Sequence, residues 1–191
     1  MSPIRIAIFA SGNGSNAEEI IRYFKGSATV TISLLLSNNP DAYVLKRAEN
    51  HGIPTHVFDR ETFRETDQVL TWLNEAGITH IVLAGFLWLV PANLLAAYAG
   101  HIINIHPSLL PRHGGKGMYG MKVHEAVKAA GDSESGITIH LVDAKYDEGR
   151  VIFQARCEVS ERDSPAEIAA KVHELEYQHF PTVIEKWLFN G

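Results

Sequence analysis

The chain has 191 residues, of which 46% are hydrophobic and 20% are charged. This length is that of one ordinary domain, and the composition excludes a disordered, fibrous or membrane-embedded protein. With 17 Lys and Arg residues against 22 Asp and Glu residues, the net charge of -5 provides no general attraction to nucleic acid or anionic lipid. The single cysteine, Cys157, excludes an intramolecular disulfide, and no apolar run reaches the roughly 18 residues of a membrane helix. We therefore expect a cytoplasmic protein.

Apolar segments of strand length alternate with segments of helical period through the first half of the chain. This alternation predicts βα units and a parallel sheet whose strands are buried on both faces. The predicted strands are residues 4–10, 30–37, 55–58, 79–84 and 101–105. The predicted helices are residues 17–25, 41–51, 65–76 and 91–98.

The second half of the chain has a different pattern. Residues 107–122 carry prolines and glycines with few large aliphatic side chains, which predicts a long surface loop of the kind that often has a function. Strands are predicted at 137–142 and 150–159, and the alternation of the second strand indicates a packing role for Cys157. Ser164 before Pro165 is typical of a helix start, and a long last helix is predicted from there. Its predicted apolar stripe is Ile168, Val172, Leu175 and His179.

A glycine-rich segment, residues 11–16, follows the first predicted strand and opens the first helix. Backbone amides at the positive end of a helix hold a phosphate without lysine or metal. The segment from Gly12 to Ala17 nearly matches the dinucleotide fingerprint, but residues 37–39 lack the acid that would bind a ribose. A monophosphate cradle is preferred here over a plain tight turn and over a dinucleotide site.

A second motif, Asn-Ile-His-Pro-Ser-Leu-Leu-Pro, occupies residues 104–111. If the fifth strand runs through His106, its period of two puts Asn104 and His106 on one face at the carboxyl end of the strand. Ligands bind open parallel sheets at that edge, and an amide beside an imidazole stabilises an oxyanion while the ring exchanges a proton. The alternative is a turn built by prolines around a buried histidine.

Two further segments leave alternatives open. A carboxylate from the polar turn at residues 142–149, if it lies near His106, raises the pKa of the imidazole; the alternative is an ordinary turn. In the segment 84–91, Phe86 is interpreted as core and residues 87–90 as a pocket wall, with Trp88 either packed in the core or facing a flat ligand. The histidines match no metal-binding motif, and no Gly-x-Ser-x-Gly elbow occurs, which disfavours metal and acyl-serine chemistry.

Taken in this order, the motifs resemble those of the phosphoribosylglycinamide formyltransferases, the folate-dependent enzymes of purine synthesis. The resemblance covers residues 4–187 and rests on segments 11–16, 83–86 and 104–111, on Gly136 with His140, and on the Asp147 turn. Methionyl-tRNA formyltransferase and formyltetrahydrofolate deformylase share the 104–111 motif. The first has an additional C-terminal domain and the second an N-terminal regulatory domain, for which this chain has no room.

The resemblance implies an α/β protein with a Rossmann-like formyltransferase fold, a mostly parallel twisted sheet flanked by helices on both faces. Residues 1–191 are expected to form one domain, with phosphate-binding βα units over residues 1–100 and a catalytic and folate-loop half over residues 101–191. The implied reaction moves the formyl group of 10-formyltetrahydrofolate, a cosubstrate, to the amine of glycinamide ribonucleotide. No metal, nucleic acid or membrane is implied, and the expected state is a monomer or a weak homodimer.

The resemblance also assigns roles to individual residues. Asn104, His106 and Asp147 are implied to be catalytic: the amide and a protonated His106 stabilise the oxyanion, while Asp147 keeps the ring charged and helps to move the amine proton. The implied substrate-binding residues are Gly14, Ser15, Asn16, Pro107, His173 and Glu176. The implied folate-binding residues are Arg64, Leu87, Trp88, Leu89, Val90, Asn104, Val142 and Asp143.

The sequence departs from the family pattern at a few positions. Trp88 stands where the family often has a basic residue, the loop after Pro111 is longer than usual, and Glu148 and Arg150 replace a Gly and a Pro. Two rival functions remain. One is a hydrolase of the same fold, in which water replaces the amine, and the other is a non-catalytic nucleotide-binding module that tolerates His106→Asn. The phosphate-cradling loop favours a ribonucleotide acceptor over water.

Overall fold

The structure is a computed structural model that describes residues 3–190, and the chain divides into two compact units, Met1–Ile103 and Asn104–Gly191. The elements of the first unit are β1 (Ile4–Phe9), α1 (Ser15–Phe24), β2 (Val30–Ser37), α2 (Tyr43–Asn50), β3 (Thr55–Val57), α3 (Arg60–Arg64), α4 (Gln68–Glu75), β4 (His80–Leu83) and α5 (Ala92–Ala97). Strand β5 (Ile102–His106) starts in the first unit and ends in the second. The remaining elements are α6 (Met121–Ala130), β6 (Glu134–Leu141), β7 (Val151–Glu158) and α7 (Pro165–Asn190). Among residues 3–190, none of the helices combines the length and the apolar character that a bilayer crossing requires.

The sheet of the first unit is parallel and has the order β3-β2-β1-β4, followed by the first residues of β5. Residues 6–9, 34–36 and 81–83 of its central strands are apolar and almost completely buried, as expected for parallel strands covered on both sides. The predicted parallel βα pattern is therefore confirmed. The sequence pattern does not predict α3, because five residues are too few to show a helical period; Asp59 caps this helix by accepting a hydrogen bond of 2.7 Å from the Thr62 N–H.

The second unit contains the end of β5, then β6, and then β7, which is antiparallel to β6. The mostly parallel α/β sheet predicted from the sequence is confirmed. The predicted loop at residues 107–122 is wrong at its end, since α6 begins at Met121. This helix escapes the sequence pattern because its buried face has only Val123, His124 and Val127, too few apolar residues to form a stripe.

Helix α7 begins where the sequence predicts. The Ser164 N–H donates to Oε2 of Glu167 at 2.7 Å, and the Glu167 N–H donates to the Ser164 hydroxyl at 3.3 Å, which is a capping box. Ile168 and Val172 are fully buried as predicted, whereas Leu175 and His179 are only partly buried. Glu176 lies in the buried line of this helix and is 4% exposed.

Candidate active site

The imidazole of His106 lies between two hydrogen-bond acceptors at the end of β5. The strand runs through His106, as the sequence analysis required, and the residue is 4% exposed. Nε2 is 2.8 Å from the carbonyl oxygen of His113, and Nδ1 is 3.4 Å from Oδ2 of Asp147. Since a carbonyl oxygen only accepts, Nε2 carries the hydrogen, and the longer contact leaves Nδ1 as the unprotonated nitrogen of the neutral ring.

The two residues that contact the His106 ring, His113 and Asp147, have an unusual backbone conformation. Among the non-glycine residues that the structure describes, positive φ values occur at His113 (52°) and Asp147 (58°). Side chains rarely adopt this left-handed region, and such residues cluster at functional sites when their surroundings hold them there. The backbone strain is thus concentrated on the two partners of one imidazole.

The carboxylate of Asp147 is held by a loop amide and lies beside a second histidine ring. Oδ2 accepts a hydrogen bond of 2.9 Å from the Gly115 N–H, and Oδ1 lies 3.6 Å from Nε2 of His140. Burial raises the pKa of Asp147, but the rings of His140 and His106 together with the Gly115 N–H lower it by more, so its pKa stays below the ordinary value. Asp147 is therefore a charged carboxylate at neutral pH.

The amide of Asn104 is oriented by His140, which is 2% exposed. Nδ1 of His140 donates to the Leu141 carbonyl at 2.8 Å, so Nε2 of the neutral ring accepts from the Asn104 amide nitrogen at 3.1 Å. One hydrogen of the amide is thus engaged, and the second can donate elsewhere. The structure brings Asn104, His106 and Asp147 together through the His140 ring.

Burial and neighbouring charges act on the pKa of His106 in opposite directions. The pKa of this ring is lowered, because burial disfavours the cation by more than the Asp147 carboxylate and the His113 carbonyl favour it; the neighbouring His140 ring lowers this pKa further, and the Glu176 carboxylate raises it. The resting ring is therefore neutral at neutral pH. The protonated His106 that the resemblance implies for oxyanion stabilisation concerns the reacting complex and stays a prediction. The acceptors on both sides remain suited to stabilise the cation once a proton arrives.

A second group of titratable side chains lies on α6 and α7. Oε2 of the buried Glu176 is 2.7 Å from Nδ1 of His173, and this hydrogen bond raises the pKa of His173. The ring of His124 lies 6.3 Å from that of His173, and burial lowers the pKa of His124 to about 4. Pro107, the other substrate-binding residue expected from this half of the chain, directly follows β5 and is partly buried.

Side chains of α2, and the side chain of Asn38 directly after β2, hold the glycine-rich loop of the first unit in place. Gly14 has φ 76°, and a Cβ there would lie 2.1 Å from Cγ2 of Val44, so only glycine fits. Arg47 donates to the carbonyl oxygen and the side-chain oxygen of Asn13, each at 2.9 Å. The Ser11 hydroxyl donates to Asn38 at 2.6 Å. Ser15 and Asn16 begin α1 directly after this loop, which places their amides at the positive end of the helix.

The folate-binding residues expected in the first unit divide between core and surface. Trp88 packs on Phe58 and Phe63, with ring centroids 6.0 and 5.9 Å away, and the guanidinium of Arg60 lies 5.3 Å from the Trp88 ring. Val90 is buried and Leu89 partly buried, whereas Leu87 is 43% exposed. Arg64 is exposed at the end of α3.

The two folate-binding residues expected in the second unit lie in the turn after β6. Val142 is partly buried, and Asp143 is exposed and accepts a hydrogen bond of 2.9 Å from the Lys145 N–H. That bond is an Asx turn, which holds the start of the loop in shape. The structure alone gives these two residues no further role.

A model of the family described as "Formyl transferase" matches residues 4–184. The chain belongs to the formyl transferase family. It is 38% identical over 186 residues to the chloroplastic phosphoribosylglycinamide formyltransferase of Arabidopsis thaliana, spanning 94% of this chain and 64% of that protein. It is 37% identical over 189 residues to phosphoribosylglycinamide formyltransferase of Bacillus subtilis, spanning 96% of this chain and 94% of that one.

Solved structures agree with the family assignment. The crystal structure of phosphoribosylglycinamide formyltransferase from Bacillus Halodurans superposes with a TM-score of 0.87 at 37% identity, covering 97% of this chain and 95% of that one. The resemblance inferred from the sequence motifs is therefore confirmed at the level of family and fold.

Sequence reasoning missed several residues of this candidate site. His140 was noted only as part of a motif, and Gly115 and His113 only as part of a loop, yet all three contact Asp147 or His106. Arg47 was not singled out, because its partner Asn13 is 34 residues away in the chain. The sequence does not mark the two positive-φ positions, His113 and Asp147, because a His or an Asp adopts this conformation only at some of its positions.

Proposed function

We propose that this protein transfers the formyl group of 10-formyltetrahydrofolate to the amine of glycinamide ribonucleotide, a step of purine biosynthesis. The family assignment and the names of the relatives support formyl transfer. The observation that carries the proposal is the series of contacts that links Asn104 to His140, His140 to Asp147, and Asp147 to His106. This group offers an amide donor, a neutral imidazole and a carboxylate, which together suit attack of an amine on a formyl carbon.

The first role is the stabilisation of the oxyanion. The amine lone pair attacks the formyl carbon, and the carbonyl oxygen gains negative charge in the tetrahedral intermediate. The Asn104 N–H that is not engaged by His140 donates to this oxygen. Because His140 already fixes the amide in one orientation, little reorganisation is needed when the charge develops.

The second role is proton transfer. Nδ1 of His106 and Oδ2 of Asp147 are two acceptors 3.4 Å apart, and together they take the proton that the attacking amine must lose. The resulting imidazolium is stabilised by Asp147 on one side and by the His113 carbonyl on the other. The proton then moves to N10 of the folate as the carbon–N10 bond breaks and tetrahydrofolate leaves. No covalent intermediate with the protein is needed.

The remaining site residues bind the two substrates in this proposal. The amides of Gly14, Ser15 and Asn16 receive the phosphate of the ribonucleotide, and Arg47 keeps this loop in shape through Asn13. Glu176, with His173 beside it and Pro107 after β5, contacts the rest of the ribonucleotide.

The folate is bound by residues 87–90, Val142 and Asp143. Arg64 and the neighbouring Arg60 supply positive charge for the folate carboxylates at the Trp88 position, where the family often has a basic residue. No metal is needed for these steps. A cytoplasmic location, small molecules as the only partners, and a monomer or weak homodimer stay predictions.

The test is an assay of purified protein with glycinamide ribonucleotide and 10-formyltetrahydrofolate, in which tetrahydrofolate release is followed with and without the ribonucleotide. Release that depends on the ribonucleotide is expected. Release without it would support the hydrolase instead, and binding of both ligands without release would support the binding module.

A matched pair of variants strengthens this test. His106→Asn removes the proton-transferring ring and is expected to lower kcat by about 100-fold or more. His101→Asn changes an exposed histidine outside the site, and its rate is expected to match that of the unaltered protein. Equal rates for the two variants would contradict the assigned role of His106.

A further inference from the structure

The segment 112–115 controls both partners of the His106 ring. The carbonyl of His113 accepts from Nε2 of His106 at 2.8 Å, and the N–H of Gly115 donates to the Asp147 carboxylate at 2.9 Å. The path of this segment therefore sets the position of the acceptor on one ring nitrogen and of the carboxylate beside the other. A contact that holds His113 therefore fixes the acceptor on Nε2 of His106.

Asp132 holds the segment from outside the site. Its Oδ2 is 2.7 Å from Nε2 of His113. Asp132 therefore holds the imidazole of His113, while the backbone carbonyl of His113 contacts His106. Both side chains are less than one-fifth exposed. Asp132 itself lies just after α6, and its N–H donates to the Val127 carbonyl at 3.3 Å, so the anchor is part of the helix end rather than of the loop.

The anchor is needed because His113 has a backbone conformation that it does not favour. Its φ is 52° while its carbonyl contacts His106, and a free loop would relax to a negative φ. A hydrogen bond to the imidazole of His113 opposes this relaxation. Neighbouring contacts act on Arg112 instead: its guanidinium is 2.7 Å from Glu134, and its carbonyl accepts from the Ser108 hydroxyl at 2.7 Å.

We propose that Asp132 is a positioning residue for proton transfer at His106, and that it acts by holding the imidazole of His113. This inference rests on the proposed function and adds a residue that does not touch the reacting atoms. The groups that act on His106 directly are Asp147, His140, Glu176 and the His113 carbonyl. Those that contact the anchor are His113 and, at 3.7 Å, the guanidinium of Arg112.

The test compares Asp132→Ala with Asp132→Asn and with Glu134→Gln. Asp132→Ala removes the anchor and is expected to lower kcat by roughly tenfold to a hundredfold, as for a small misplacement of a catalytic group. Asp132→Asn keeps an oxygen that accepts from Nε2 of His113, so it is expected to restore most of the rate. Glu134→Gln weakens the contacts of Glu134 with Arg112 and Arg156 but leaves the hydrogen bond between Asp132 and His113 intact, so it is expected to leave the rate unchanged.

The pH profile separates positioning from a merely structural role. The His113 carbonyl favours the charged form of His106, so its loss lowers the pKa of His106. In Asp132→Ala the acid limb of kcat/KM is therefore expected to move to lower pH, and the ring nitrogens of His106 in ¹⁵N NMR are expected to titrate at lower pH as well. An unmoved titration and an unchanged kcat in this variant would overturn the proposal.

Two other results would also overturn it: a loss in Asp132→Asn as large as in Asp132→Ala, or the same pH shift in Glu134→Gln. If Asp132→Ala does not fold, His113→Ala provides the same test, because alanine lacks the anchored ring and, like histidine, disfavours the positive φ. The NMR titration of His106 needs no substrate. It therefore tests Asp132 even if the unaltered protein shows no formyl transfer, a result that would count against the proposed function alone.

Discussion

Replacing Asp147 with asparagine tests the proton-transfer step with little other disturbance. Asp147 has a φ of 58°, and asparagine is among the few residues that tolerate the left-handed region. The amide oxygen of asparagine can still accept the 2.9 Å hydrogen bond from the Gly115 N–H. The substitution thus removes the negative charge 3.4 Å from Nδ1 of His106 and preserves the backbone.

The expected loss follows from the two roles of the charge. General acid–base assistance contributes about 10²- to 10⁴-fold to a rate, so kcat of Asp147→Asn is expected to fall within that range. The carboxylate raises the pKa of His106, and its removal lowers this pKa further. If the neutral ring is the active form, activity at low pH is limited by protonation of His106, so the acid limb of kcat/KM is expected to move to lower pH.

The assay is steady-state formyl transfer over a range of pH, with thermal unfolding measured in parallel. Asp147→Ala removes the same charge but forces alanine into the left-handed region, so it is expected to lose about 1–3 kcal/mol of stability as well. Glu148→Gln is the control, because it removes an exposed carboxylate of the same turn. A kcat for Asp147→Asn within about threefold of the control, with the acid limb unmoved, would refute the reasoning.

Three further predictions concern the glycine-rich loop, residues 11–16, and the buried histidine of α6. Arg47→Leu removes both hydrogen bonds to Asn13, and steady-state kinetics is expected to show KM for the ribonucleotide raised roughly tenfold with kcat little changed. Gly14→Ala meets Val44 at 2.1 Å, and urea unfolding is expected to show a loss of about 2 kcal/mol or more, of which Val44→Ala restores only part because φ stays positive. His124 has a folded-state pKa of about 4 against 6.5 in the unfolded chain, so the unfolded state binds its proton first and stability falls as pH decreases through this window. The fall is expected to be on the order of 3 kcal/mol, and urea unfolding at both ends of the window should show a smaller fall in His124→Phe.

The parallel half of the fold was predictable because its signal is local. Buried parallel strands are continuous apolar segments, and helices between them repeat every 3.6 residues, so β2 was predicted with its observed bounds, Val30–Ser37. Helix α6 was not predictable in this way. Its buried face includes His124 in place of a third apolar residue, and only the packed structure shows that this histidine is 2% exposed.

The candidate site likewise contains residues that a local sequence signal predicts and contacts that only the folded chain shows. Asn104 and His106 were placed on one face by the period of a strand, which is a property of neighbouring residues. The contact between Asp147 and His106 joins residues far apart in the chain, and the sequence motif names the residue types without their distance. The contacts of His113 and Gly115 depend on the path of a loop, for which the sequence holds no periodic signal.

The pKa of His106 shows that the neighbouring charged groups alone do not predict whether a buried ring is charged. An acidic partner alone predicts a raised pKa and a charged ring, which was the sequence-based expectation. The structure adds the burial of the ring, which acts in the opposite direction and outweighs the carboxylate. A charged ring has no lone pair left to accept a proton, whereas a neutral ring has one. By keeping the ring neutral at rest, burial leaves His106 able to accept the amine proton, and the Asp147 carboxylate and the His113 carbonyl stabilise the cation that forms. Because burial also keeps the pKa low, the ring releases this proton again to the leaving group.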